Sequence, residues 1–363
     1  MILNRRSFAG LIAGAAAAAQ TPPAPELSWH DAKKFNIEGL GFTDTALPYD
    51  RLPARAEKLV RKAVWDLSRH STGVCVRFVA STPSIHARWS LTLPTLALPH
   101  MTSIGTSGLD LYAEDANGKM RWLATGKATK FPQNVEMLSS GIAAGKRQYR
   151  IYLPLYNGVT SLEIGVPVGS EIEKAPARAA GRKPIVFYGT SITHGIAASR
   201  PGMTHVAILG RMFDREVINL GFSGNGKMEP EVTKLVTELD AAVYVIDCLP
   251  NMTAEDIHAR AESCIKQLRE ARPTTPILLV EDRVYSDGFL VASRKERNAM
   301  NHAAMREVYD KSLKGKISQL YYLKGEELLG DDGDATIDGS HPTDLGFMHQ
   351  AHAFEKVLRK ILS

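Results

Sequence analysis

Four short blocks of this 363-residue chain carry side chains that could act together. In YGTSITHG (188–195), an apolar run ends at Gly189 and Ser191 follows two residues later. Such a serine has three readings: a nucleophile on a strand-to-helix turn, part of a glycine loop for phosphate, or the N-cap of the next helix. NLGFSGNG (219–226) is a glycine-rich turn containing Gly224, and DCLPN (247–251) ends on Asn251. DGSHPTDLG (338–346) spaces Asp338 and His341 by three. A hydroxyl attacks a carbonyl only when a base takes its proton, and His341 is the natural base. A carboxylate three residues before it can hold the other ring nitrogen. The backbone N–H groups of Ser191 and Gly224 and the side-chain amide of Asn251 could then stabilise an oxyanion.

Other residues have both a functional and a bland reading. His194 could contact substrate or sit in the first helical turn, and Arg200 could bind a polar group or be a loop charge. Glu281 and Arg283 could line a pocket or pair with each other. Asp344 and Thr343 suit a helix cap. A phosphate loop needs a lysine after its second glycine, and a dinucleotide loop needs G-x-G-x-x-G. Neither occurs around Ser191.

The blocks fall where the pattern predicts strand ends. PIVFYG, EVINLGF, AAVYVID, PILLVED and QLYYL are continuous apolar runs alternating with amphipathic helical segments such as AEDIHARAESCIKQLREAR. This predicts a doubly wound, flavodoxin-like parallel five-stranded sheet over 184–363, covered on both faces, with its site at the strands' C-terminal ends. The first half differs. Stretches 73–80, 84–91, 108–115, 120–126, 148–156 and 161–168 mostly follow period two and are separated by turn residues. They predict an antiparallel β-sandwich over 27–172. RAEKLVRKAVWDLSRH reads as a helix or helical turn before that sheet. The polar, Ala/Pro-containing stretch 173–183 reads as a linker. In GLDLY (108–112), Asp110 and Tyr112 share one strand face and Leu109 and Leu111 the other.

Taken jointly, the blocks resemble the SGNH hydrolase superfamily, also called GDSL esterases and lipases. The resemblance implies Ser191 as nucleophile, Gly224 and Asn251 as oxyanion groups, and Asp338 with His341 as the DxxH pair. GLDLY resembles the GxDLY motif of a β-rich domain that precedes one bacterial branch of these hydrolases. Two positions depart from the pattern. Thr190 stands where an aspartate is usual, and Pro250 stiffens the loop before Asn251.

Composition is that of a globular protein, with 44% hydrophobic and 23% charged residues. The net charge of +5 comes without a long basic run, so no nucleic-acid partner is expected. Three cysteines, Cys75, Cys248 and Cys264, make no disulfide framework or zinc motif, and no metal or cofactor is expected. Residues 1–25 combine Arg5-Arg6-Ser7-Phe8, a short apolar stretch and small residues, as in a twin-arginine export signal without a stable membrane anchor. The expected protein is an exported, periplasmic or extracellular ester hydrolase that meets the export machinery. Its expected substrate is a small-molecule, oligosaccharide or polysaccharide ester, with carbohydrate O-deacetylation favoured. A lipase or lysophospholipase and a non-catalytic carbohydrate-binding protein are the alternatives.

Overall fold

The computed structural model describes residues 25–363; the expected export signal lies, except for Pro25, outside them. Two antiparallel sheets form the N-terminal part. One sheet is ordered β1 (Leu27–Asp31), β9 (Val159–Pro167), β4 (Ser84–Leu91), β7 (Gln133–Ser140). The other is ordered β10 (Glu171–Lys174), β3 (Cys75–Ser81), β8 (Arg147–Tyr152), β5 (Leu109–Glu114), β6 (Met120–Gly126), with β2 (Asn36–Glu38) paired to β3. Alternate residues of both sheets meet in one core, including Phe78, Trp89, Leu109, Leu111, Tyr149, Ile151 and Ile164.

Two segments differ from the sequence expectation. The stretch taken as a linker starts as part of a strand, because Glu173 and Lys174 belong to β10. Beyond it, Arg178 holds Glu38 through bonds of 2.7 and 2.9 Å. Strand β7 carries no usable period. Val135 and Met137 face solvent, while Asn134 is buried because its side-chain oxygen accepts from Thr129 and Lys130 N–H at 2.8 and 3.0 Å.

The second half is a five-stranded parallel sheet ordered β12 (Val217–Gly221), β11 (Ile185–Gly189), β13 (Val243–Asp247), β14 (Ile277–Val280), β15 (Leu320–Leu323). Starting from its first strand in the chain, this is the doubly wound 2-1-3-4-5 order. Alternation divides each strand between two cores. Ile185, Phe187, Val243 and Val245 pack with helices α4 (His205–Met212) and α8 (Asp344–Leu362). Val186, Tyr188, Tyr244 and Ile246 pack with α5 (Pro230–Glu238), α6 (Ala254–Ala271) and α7 (Ala292–Lys314).

That second core also takes in Phe42, Leu52, Val64 and Trp65, from the segment around α1 (Lys62–Ser68). The N-terminal half therefore supplies part of the catalytic half's interior. Arg51, 1% exposed, fixes this graft. Its guanidinium donates to the carbonyls of His70 (2.8 Å), Leu67 (2.6 Å), Asn219 and Gly221 (both 2.9 Å). A second contact uses GLDLY. Leu109 and Leu111 enter the sandwich, whereas Asp110 and Tyr112 face the other half. Asp110 Oδ2 accepts from Arg200 and from Gly202 N–H, both at 2.8 Å, and Arg200 also donates to the Tyr112 hydroxyl at 2.6 Å.

Replacing Arg51 by alanine takes this donor from two buried and two partly buried carbonyls. We expect Arg51→Ala to cost about 3 kcal/mol or more, read as a lower guanidinium chloride midpoint. A shift below about 0.5 kcal/mol, ordinary for an inconsequential surface change, would contradict this role.

Candidate active site

Each block sits at a strand's C-terminal end for a local reason. Strand β11 stops at Gly189, and Thr190 caps the single-turn helix α3 (Ser191–His194), its hydroxyl accepting from Ile192 N–H at 3.3 Å. Threonine, like aspartate, is among the side chains that make such a cap, so the departure at Thr190 leaves the turn intact. Gly195 ends the turn at φ +109°, a conformation that favours glycine. Ser191, 6% exposed, is thus the first residue of a single helical turn at the C-terminal end of β11.

Ser191 Oγ lies 2.9 Å from His341 Nε2, and His341 Nδ1 lies 2.7 Å from Asp338 Oδ2. The other carboxylate oxygen of Asp338 accepts from the backbone N–H of His341 at 2.8 Å and of Ser340 at 3.0 Å. Burial alone would push the Asp338 carboxyl up. The hydrogen bonds from the His341 ring and these two N–H groups outweigh it and hold the group down at about 2. Hydroxyl, imidazole and carboxylate stand in series, so a proton can pass from Ser191 to a ring whose far side faces a fixed negative charge.

The loop after β12 turns through Gly224 at φ +69°, with open space where a side chain would project. Asn251 closes the 3-10 turn Leu249–Asn251. Pro250 lies in the first positions of that turn, where its missing N–H removes no internal bond. The side-chain oxygen of Asn251 accepts from Gly226 N–H at 3.2 Å, which leaves its NH₂ group to donate elsewhere. Arg297 of α7 clamps the same turn through the carbonyls of Pro250 (3.1 Å) and Met252 (2.9 Å).

Of the four residues expected as possible substrate contacts, His194, Glu281 and Arg283 are buried and Arg200 is half-buried, and all four are engaged by other residues of the protein. His194 is fully buried beneath Tyr156, its ring stacked at 4.2 Å and its Nε2 2.8 Å from the Leu155 carbonyl. Burial, reinforced by the nearby cation of Arg51, lowers its proton affinity well below that of an ordinary imidazole. Arg200 is engaged by Asp110 and Tyr112. Glu281 accepts from the Tyr322 hydroxyl at 2.6 Å and Gly325 N–H at 2.8 Å. Arg283, 2% exposed, makes a two-pronged ion pair with Asp247, with one arm at 2.8 Å, and donates to Gln350 of α8 at 2.9 Å. Glu281 and Arg283 therefore do not pair with each other. The expected cap of α8 is absent: neither the Thr343 nor the Asp344 side chain bonds a free N–H of its first turn, and the Asp344 carboxylate accepts from Ser199 N–H at 2.9 Å instead.

His100 had no motif to mark it. The turn 98–101 of the N-terminal half carries it to 3.5 Å from Asp338 Oδ2. Asp247 offered a fainter signal. An acid ending a strand buried on both faces needs a partner, and it finds Arg283 and the Thr193 hydroxyl, the latter at 3.0 Å. Among the described residues, no group of His, Cys, Asp and Glu is arranged to hold a metal ion, and no helix is long and apolar enough to cross a membrane. The three cysteines are buried and unpaired.

Two outcomes are expected. Arg283→Ala strands the Asp247 carboxylate and should cost about 3–5 kcal/mol, measured by chemical denaturation; a near-wild-type midpoint would contradict it. A folded-state carboxyl held below its ordinary value stabilises the protein above that value, and the stabilisation is lost as pH falls. For Asp338 the window runs from 3.8 down to about 2. A kcat/KM profile between about pH 4 and 9 should therefore show no inflection from Asp338, while Asp338→Asn should lower kcat by about 10³-fold or more.

Comparison with known proteins agrees with this architecture. Residues 182–359 match the model of the GDSL-like lipase/acylhydrolase family, and 27–172 match the GxDLY domain, the N-terminus of SGNH-type esterases. None of the curated proteins matches it in sequence. The crystal structure of a GDSL-like lipase from Bacteroides ovatus is 31% identical, covering 93% of this chain and 98% of its own, with a TM-score of 0.88. Two more distant structures share the fold. A salicylyl-acyltransferase from a tetracycline biosynthetic pathway is 19% identical, with coverage of 94% and 96% and a TM-score of 0.68. An acetyl xylan esterase from the rumen bacterium Butyrivibrio proteoclasticus is 11% identical, with coverage of 92% and 99% and a TM-score of 0.59. With its strand order, its matching domains and a relative of this identity over nearly its whole length, the chain belongs to the GDSL-like lipase/acylhydrolase family of SGNH hydrolases and is a carboxylic ester hydrolase.

Proposed function

We propose that the protein is an exported serine ester hydrolase that works through an acyl-enzyme, with carbohydrate esters as its substrate class. The observation that carries the mechanism is the relay from Ser191 through His341 to Asp338, at 2.9 and 2.7 Å. Ser191 Oγ attacks the ester carbonyl carbon as its proton passes to His341 Nε2. Asp338 keeps the ring oriented and offsets the charge it gains. The carbonyl electrons move to oxygen, and the N–H groups of Ser191 and Gly224 and the Asn251 NH₂ group donate hydrogen bonds to the oxyanion so formed. Collapse expels the alcohol, which takes the proton from His341. Water then repeats the sequence on the acyl-enzyme, releasing the acid and restoring Ser191.

The carbohydrate assignment draws on the two-domain fold shared with carbohydrate esterases, a fold-level argument. Export rests on the N-terminal sequence, and intact mass from the native host checks it: a retained segment 1–19 would contradict it. Hydrolysis of p-nitrophenyl esters and release of the acid from acylated sugars, acetylated ones included, test the reaction and the substrate class. Ser191→Ala should lower turnover by about 10⁴-fold or more, and Asn251→Ala by about 10²-fold. Wild-type turnover no faster than Ser191→Ala would remove the mechanism and leave the non-catalytic carbohydrate-binding reading. Activity on long-chain glycerides or lysophospholipids without activity on acylated sugars would favour the lipase reading.

A further inference from the structure

An open cleft of about 610 Å³ adjoins the relay. The catalytic half lines it with Ile196, Ser223 and Asn225. Each of these is close along the chain to the nucleophile or to the oxyanion glycine. Ile196 N–H donates to the Ser191 carbonyl at 3.0 Å, and Ser223 and Asn225 flank Gly224. The opposite wall belongs to the N-terminal half: Ala63 and Leu67 of α1, Leu98, Pro99 and His100 of the turn 98–101, and Tyr156. His100 stands at 3.5 Å from Asp338, so the cleft opens beside the relay.

This wall is held in place. Met101, 5% exposed, packs into the catalytic half's core with Ile192, Ala198 and Phe347. Gly105 approaches so closely that an added Cβ would lie 2.6 Å from the Ala198 carbonyl. Tyr156 rests on the His194 ring at 4.2 Å. Most of the cleft's surface is carbon, with Asp66, His100, Ser223, Asn225 and the Tyr156 hydroxyl as its polar groups.

We infer that this cleft binds the acyl group of the ester and that the preferred acyl group is a bulky hydrocarbon, aromatic or of medium chain length, rather than acetyl. The inference rests on the ester-hydrolase reading and sharpens its substrate. An acetyl group would leave most of the apolar wall in water, whereas a larger hydrocarbon removes it from water at each contact. A cleft of about 610 Å³ has room for a group far larger than acetyl. The side chains of Ala63, Leu67, Leu98, Pro99 and Ile196, which make the carbon part of the cleft, offer no hydrogen-bond partner to the hydroxyls of a sugar alcohol limb. The acyl limb is then the one whose chemistry fits. The N-terminal half thereby becomes the selector of the acyl group, while the catalytic half supplies the reacting atoms.

The test compares kcat/KM for p-nitrophenyl acetate, butyrate, hexanoate and benzoate, and separately for ethyl and hexyl acetate. The full-length protein and its Ala63→Trp and Ile196→Trp variants are assayed together. Ala63 is exposed on α1, so its replacement fills the cleft with little burden on folding. The wild type should favour hexanoate or benzoate over acetate by about tenfold or more, and each tryptophan should reduce that ratio by about tenfold. A preference for acetate, or a ratio unchanged in both variants, would overturn the inference while leaving the hydrolase reading intact. So would a chain-length preference confined to the alcohol series, since the cleft would then hold the alcohol. Absence of Ser191-dependent turnover on every ester would remove the hydrolase reading and this inference with it.

Discussion

The arrangement of the active site depends on one buried ion pair, Asp247 with Arg283. Both side chains are essentially inaccessible to water, at 0% and 2% exposure, and neither could stay charged there alone. The pair joins the ends of neighbouring strands β13 and β14. From it, Thr193 is held next to the nucleophile's turn, and Gln350 is held in the helix that follows His341. Asn251 lies four residues beyond Asp247 on the same strand exit. Ser191, Asn251 and His341 come from distant parts of the chain, and this network joins the turn of Ser191, the strand before Asn251 and the helix after His341. Its value lies in fixing one arrangement, because a displaced strand end would leave a charge or a hydroxyl without a partner in a dry interior.

A second constraint is the way the two halves interlock. The segment around α1 leaves the sandwich and completes the core on one side of the catalytic sheet. Arg51 ties it down through carbonyl oxygens, not through a carboxylate. The GLDLY strand divides its alternate side chains between the sandwich core and Arg200. The turn 98–101 inserts Met101 into the other catalytic core and so delivers His100 to Asp338. The N-terminal half is thus a structural component of the active-site region and not an appended module.

Much of this was legible because period and chemistry are local signals. Continuous apolar runs marked the five parallel strands, since strands buried on both faces cannot alternate. Alternation marked most of the sandwich. It failed at β7, where a buried Asn134 serves a turn and the apolar residues point outward, and at β10, which is too short to show a period. The chemistry-bearing blocks stood out because Ser191, Gly224, Asn251, Asp338 and His341 sit at strand or loop ends in an order suited to acyl transfer. His194, Arg200, Glu281 and Arg283 lie near those blocks in sequence and invited a functional reading. Their partners, Leu155, Asp110, Tyr322 and Asp247, are 39, 90, 41 and 36 residues away, so no local pattern could expose the satisfied hydrogen bonds that occupy them.

The sequence by itself determined the two fold classes, the family resemblance and the identity of the residues able to form a proton relay. These follow from short-range periodicity and from residue types at strand ends, which survive as information along a single chain. Tertiary structure alone decided that Ser191 Oγ, His341 Nε2 and Asp338 Oδ2 fall within hydrogen-bond reach. It also decided that Asp247 and Arg283 support them and that Leu98, His100 and Tyr156 face the same cleft. These are contacts between residues up to 150 positions apart. They exist only because two hydrophobic cores and a shared interface close at once, and that closure is a property of packing in three dimensions.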